Sequence, residues 1–301
     1  MKLQLKTRQV CLFIIAFLPI TKLFIAPSIL ATSASEDAWI SATLSLALDF
    51  ITLLFILNAC KKAKCDFFTL LEVNLGKILS KIVMFLYFLY FMLKSIIPIN
   101  EQKDYIERTL YTLVPSKLYF LPFFLVVFYL CSKSLRILGR ASDILWAFTI
   151  VGLTLLIALS IPNADLGAVL PVGANGIRKI ALGSYKTAGW FGDCAYLMFF
   201  IGNFEHKNKD NLKIAISYAI SALVVICFMI IFYCVFTSIA FRQRFALTEI
   251  SKYTAVINNI GRFDYLGIML ILVSCIFALS IPLFLSSKIL DYIFNFKKSW
   301  I

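Results

Sequence analysis

From Val10 to Leu30 the chain is apolar for about the 20 residues that a membrane-crossing helix needs. Its middle, however, reads Leu18-Pro19-Ile20-Thr21-Lys22, and Pro27 follows. Pro19 and Pro27 each remove a backbone donor and crowd the preceding turn. Lys22 sets a charge near the middle of the apolar layer, at a cost of about 2.5 kcal/mol or more. Backbone broken at that depth is tolerated only against protein or a water-filled cavity, so this stretch requires neighbours that satisfy it. Interrupted helices of this kind hold substrates and ions at mid-membrane in transporters. Two plainer readings compete. One is a proline-containing helix whose lysine snorkels. The other is a secretory signal, with Lys2, Lys6 and Arg8 ahead of an apolar core and a cleavage site between Ala31 and Ala34. Comparable apolar segments follow, so the chain is membrane-embedded on any of these readings.

Those segments predict eight spans in one transmembrane permease-like domain, 1–301: Val10–Leu30, Trp39–Ala59, Ile78–Ile97, Leu118–Leu130, Ile144–Ile161, Thr187–Asn203, Leu212–Ala240 and Leu266–Ile289. The third ends at Pro98, the fourth is short, and the sixth is interrupted by Gly189, Gly192 and Asp193. The 61% hydrophobic content exceeds that of soluble domains and agrees with an all-α polytopic membrane protein. The runs are too long and continuous for the strands of a membrane barrel.

The net charge of +13 is not read as a nucleic-acid signal, because the basic residues gather in alternate short connections. With the N-terminus inside, the inner segments hold 17 of them and the outer ones 10, which places both termini in the cytoplasm. Three outer connections are long. Residues 100–116 mix charges and are expected to be partly helical. Residues 162–186 are rich in turn formers. Residues 241–264 carry Leu247, Ile250 and Ile257 at the spacing of an amphipathic surface helix, read as a solvated loop helix rather than a gate.

No phosphate-binding loop, HExxH or Ser/His/Asp arrangement is present, and the single histidine, His206, falls in a loop. No cysteine pair has CxxC spacing, so neither a disulfide framework nor a zinc site is indicated. No enzyme activity, cofactor or metal is expected. The candidate chemistry lies instead in the charges within spans: Lys22, Asp49, Lys94 and Asp193. The sixth span reads Thr187-Ala-Gly-Trp-Phe-Gly-Asp-Cys-Ala-Tyr196, and its glycines suit local unwinding. Unwound backbone exposes N–H and C=O groups, and a half-helix N-terminus favours an anion. Interrupted spans in corresponding places, here the first and sixth, point to a binding site; close helix packing on small residues is the plainer account. The ligand-binding candidates are Pro19, Ile20, Thr21 and Lys22 with Gly189, Trp190, Gly192 and Asp193. Lys22 is expected to pair with Asp193 or Asp49, as a structural bridge or in place of a coupling cation. Asp49 has a further option as a hydrogen-bonded contact between helices. Lys94 is placed near the outer interface, within snorkelling reach.

The succession TRQVCLFIIAFLPITKLFIAPSILA, EDAWIS, DILWAFTIVG, NADLGAVLPVGANG, WFGD, SKYTAVINNIGRFDY and IFALSIPLF resembles the spore germination permeases, the B subunits of germinant receptors, along nearly the whole chain. That resemblance implies the amino acid–polyamine–organocation superfamily, with a transporter-like five-plus-five inverted repeat. It also implies a nutrient ligand, commonly an amino acid, held at the breaks of spans one and six. The spore inner membrane and partnership with A and lipoprotein C subunits follow from the same source. Many members have a glycine-rich first break where this chain has Pro19 to Lys22. The chain also stops after an eighth span, so the expected fold is truncated to about eight spans. A true amino acid transporter and a truncated remnant remain alternative functions.

Overall fold

The computed structural model describes residues 5–62, 65–105, 116–203, 210–252 and 264–294. Apolar segments in lipid must satisfy their own backbone, and among the described residues every regular element is a helix. They are α1 (Thr7–Phe17), α2 (Ala26–Ala34), α3 (Ala38–Lys62), α4 (Phe67–Tyr105), α5 (Ser116–Cys131), α6 (Leu135–Ser160), α7 (Gly176–Lys186), α8 (Asp210–Phe236), α9 (Ala246–Lys252) and α10 (Asp264–Phe294). Among the described residues five helical stretches are long and apolar enough to cross a membrane: Ala26–Lys62, Phe67–Asp104, Leu135–Asn163, Asp210–Arg242 and Cys275–Phe294. Large apolar side chains face outward along them, among them Phe55, Ile78, Leu93 and Leu223. In water such a surface would drive aggregation; in a bilayer it is the lipid-facing coat. The chain is an all-α polytopic membrane protein.

The first apolar run is two half-helices, α1 and α2, joined by one turn of 3₁₀ helix at Ile20–Lys22. Pro27 sits in the first turn of α2, where its missing N–H has no partner to lose. The sixth run is broken as well. Its first half is α7; a 3₁₀ turn at Ala188–Trp190 follows, and the second half, Asp193–Phe200, is also wound as 3₁₀ helix. At three residues per turn, positions 193, 196 and 199 line up on one side, and Asp193, Tyr196 and Phe199 are all buried.

The halves form the centre of the molecule. α1 lies against α6 and α8, α2 lies against α7, and α3 packs on α7, α8 and the 193–200 half-helix. α10 closes the other side against α4, α5 and α6. An aromatic seam joins the breaks to α4: Phe17 meets Tyr196 edge-on at 5.2 Å, Phe13 meets Phe200 at 5.0 Å, and Phe91 packs on Tyr196 at 5.1 Å and on Phe199 at 5.2 Å. Each such pair contributes about 0.5–1.5 kcal/mol beyond the area it buries.

Several boundaries differ from the sequence reading. The third span does not end at Pro98: α4 runs through it to Tyr105, and a non-helical Gly76 (φ +77°) interrupts the helix instead. The sixth span begins inside the supposed outer loop, because α7 occupies part of 162–186. The 3₁₀ turn at Thr237–Arg242 and then α9 follow α8, and α9 is not a solvated loop helix: Ala246, Leu247, Thr248 and Ile250 are buried. Its first amide, at Ala246, donates to the Phe24 carbonyl at 2.8 Å, so this segment is seated on the end of the first break. His206 and Ile257 lie outside the described residues, as does most of the 100–116 connection.

Candidate ligand site at the two helix breaks

A broken helix leaves carbonyls without partners, and burial makes each of them costly. At the second break α4 supplies what is missing. Tyr90 and Lys94 are four residues apart and so share one helix face. The Tyr90 hydroxyl donates to the Gly192 carbonyl at 2.9 Å, and the Lys94 ammonium donates to the Phe191 carbonyl. Gly192 holds a left-handed backbone (φ +82°), and a Cβ there would lie 3.0 Å from the Tyr90 hydroxyl. Glycine thus permits both the turn and the close approach. At the first break, the Leu18 carbonyl accepts from the Lys22 ammonium at 3.3 Å.

Asp193 ties the two breaks together. It occupies the first position of its half-helix, where the backbone amides favour a negative charge. Its Oδ2 accepts from the Lys22 ammonium and from the Thr21 hydroxyl, the latter at 2.8 Å. Its Oδ1 accepts from Lys94 at 2.8 Å. One carboxylate therefore takes two ammonium groups and a hydroxyl, and Lys22 is fully shielded at 0% exposure. An isolated buried charge costs several kcal/mol even after relaxation. Three donors on one anion offset that cost, and Asp49 lies within electrostatic range of both lysines.

The expected partner of Lys22 is thus Asp193. Asp49 takes the third of its options: it accepts from the Cys194 amide at 3.3 Å and lies 3.5 Å from the Tyr218 hydroxyl, whose stronger bond is to the Leu46 carbonyl at 2.8 Å. Lys94 corrects the sequence reading. It does not snorkel; it is buried and is the second cation on Asp193. The snorkelling argument rested on a span ending at Pro98, whereas α4 continues 11 residues past Lys94 to Tyr105.

Beside the triad lies a small cavity of about 20 Å³. Thr21, Gly189, Trp190 and Asp193 of the sequence-predicted set line it, together with Phe17, Tyr196, Ala278 and Pro282. α4 adds Lys94, Ile97, Pro98 and Glu101. Pro19, Ile20, Lys22 and Gly192 shape the breaks without lining the cavity. Glu101 was not singled out from sequence. Its carboxylate accepts from the Trp190 indole N–H, and its position seven residues beyond Lys94 on the same helix stripe is the signal that would have found it. Among the described residues no cluster of His, Cys, Asp or Glu could hold a metal ion. The site offers ionisable side chains, an aromatic wall and polar backbone.

The family model for spore germination protein, the spore permease family, matches residues 4–301. The chain belongs to the spore germination permease family. No curated protein matches the sequence. Family membership gives this permease a germination-related, permease-like role in a membrane, in a family of permeases and receptors rather than of enzymes. In this germination permease, the two breaks read from sequence are the places where helical backbone gives way to side-chain partners.

Proposed function

We propose that the protein is the nutrient-sensing subunit of a spore germinant receptor. It binds a small nutrient, an amino acid, between the breaks at Pro19–Lys22 and Gly189–Asp193. The observation that carries this reading is the junction itself: two interrupted helices of a germination permease meet at one buried carboxylate, beside a cavity with polar and aromatic walls. Interrupted helices paired in this way are the recurrent ligand site of transporter folds, and the five-plus-five inverted repeat is the architecture such a site implies. The spore inner membrane, with both termini in the cytoplasm, and A and C subunits as partners belong to the same reading.

Small-molecule sites typically span roughly 300–1,000 Å³, whereas the present cavity has room for about one water. On this reading ligand entry requires the lining side chains to part.

The test is germination of spores lacking this gene, challenged with a panel of the twenty amino acids. The response to at least one amino acid is expected to disappear and to return with the wild-type gene but not with Asp193→Asn. An unchanged response to every amino acid overturns the reading. The transporter alternative uses the same breaks, and uptake of the labelled amino acid by proteoliposomes separates the two.

A further inference from the structure

α4 presents four residues to the cavity in the order Lys94, Ile97, Pro98, Glu101. Spacings of three, four and seven residues place them on one stripe of the helix, spanning two turns, or about 10.5 Å of rise. The stripe therefore carries a basic group at one end and an acidic group at the other, and is apolar between. Neither end is saturated. An ammonium has three donors; Lys94 gives one to Asp193 Oδ1 and one to the Phe191 carbonyl, which leaves one N–H at the cavity wall. Lys22 differs: Leu18, Thr21 and Asp193 take all three of its donors, and it does not reach the cavity. At the other end Glu101 is only 5% exposed, yet a single hydrogen bond, from Trp190, reaches its carboxylate, and the cation that acts on it, Arg244, is itself bonded to Asp104. A carboxylate carries about four acceptor sites. A buried one with a single donor is an incomplete pair.

Building on the reading of this cavity as an amino acid site, we infer that Lys94 and Glu101 are the two charge-reading residues of the pocket. Lys94 takes the ligand's carboxylate and Glu101 its ammonium. The proline-containing first break fits this assignment. Pro19 has no N–H, and the Lys22 amide is spent on the Pro19 carbonyl at 3.1 Å, so neither of these two backbone positions is open to an anion. The pocket then selects a zwitterion and discriminates against ligands missing either charge, because each absence leaves a buried group unpaired.

The experiment uses the full chain in lipid nanodiscs. Binding is measured by thermal shift and titration, first with the twenty amino acids together with β-alanine and 4-aminobutanoate. The tightest binder is then compared with its carboxamide and with its deaminated acid. On the wild type each analogue is expected to bind at least about tenfold more weakly than the parent. Lys94→Met should bind parent and carboxamide alike, and Glu101→Gln should bind parent and deaminated acid alike. If either variant fails to fold, the analogue comparison on the wild type decides. Equal binding of parent and analogues by the wild type, or variants that keep the wild-type discrimination, overturns this assignment and leaves the amino acid site standing. Failure of the wild type to bind any of the probes overturns the site reading and this inference with it.

Discussion

Asp193 carries more of the structure than either of its lysines, because it is the shared member. Removing Lys22 leaves the carboxylate with Lys94 and Thr21. Removing the carboxylate leaves two ammonium groups buried without an anion between them. Lys22→Met is therefore expected to cost about 1.5–3 kcal/mol, the range for a hydrogen bond to a charged group. Asp193→Asn should cost about 3–5 kcal/mol, the range for an uncompensated buried charge. Adding Lys22→Met to Asp193→Asn should recover part of the loss, since one of the stranded cations goes. Thermal unfolding of the purified variants in detergent checks this order, and equal losses from both single variants would refute the shared-carboxylate account. The same cycle run on Lys22 and Asp49 should show coupling weaker than that with Asp193, since Asp49 is held by a backbone amide rather than by an ammonium.

At the scale of elements, the half-helices stay in place because side chains far from the cavity hold their ends. Asp37, fully buried at the corner between α2 and α3, accepts from the Gly173 amide at 2.7 Å and the Asn175 amide at 3.0 Å. The Asn175 side chain returns a hydrogen bond to the Ala34 carbonyl at 3.0 Å. This clamp fixes the entry to α7 on the end of α2. Asp37→Ala removes two charge-assisted bonds, and a destabilisation of about 1–3 kcal/mol is expected. Hydrogen exchange should speed up across 173–178 and stay unchanged in α8; unaltered exchange at 173–178 would show that the clamp does not hold α7.

The positions of both breaks were legible in the sequence because Pro19, Lys22, Gly192 and Asp193 violate what a lipid-spanning helix tolerates. That Lys22 pairs with a mid-span carboxylate followed from the cost of leaving either alone, with Asp193 and Asp49 both open; the contact itself falls to Asp193. Less was legible where the signal was tertiary. α7, reading GIRKIALGSYK, is polar enough to pass for loop, and it is helical because one edge packs on α2 and α3. Pro98 suggested a helix end, and that local rule displaced both Lys94 and Glu101 from the candidate site. The burial of α9 depends on neighbours that no local pattern announces.

For the molecule as a whole, the arrangement is a lipid-coated helical shell around two interrupted helices, with α4 and α10 closing one side and the α9 segment seated on the first break. Charge is confined to the centre and to the ends: the Lys22–Asp193–Lys94 triad lies inside, while Arg8–Asp143 and Arg244–Asp104 tie the ends of helices together. Such a body gathers its buried polar chemistry at one junction and leaves an apolar outer surface to lipid. On the proposed function the nutrient is read at this junction. A photoreactive analogue of the amino acid that triggers germination, irradiated with membranes bearing the protein, tests it most directly. The account predicts adducts on peptides covering 17–21, 94–101 and 189–196, competed away by the unmodified amino acid. Competable adducts confined to other segments, such as the outward face of α8, would contradict it.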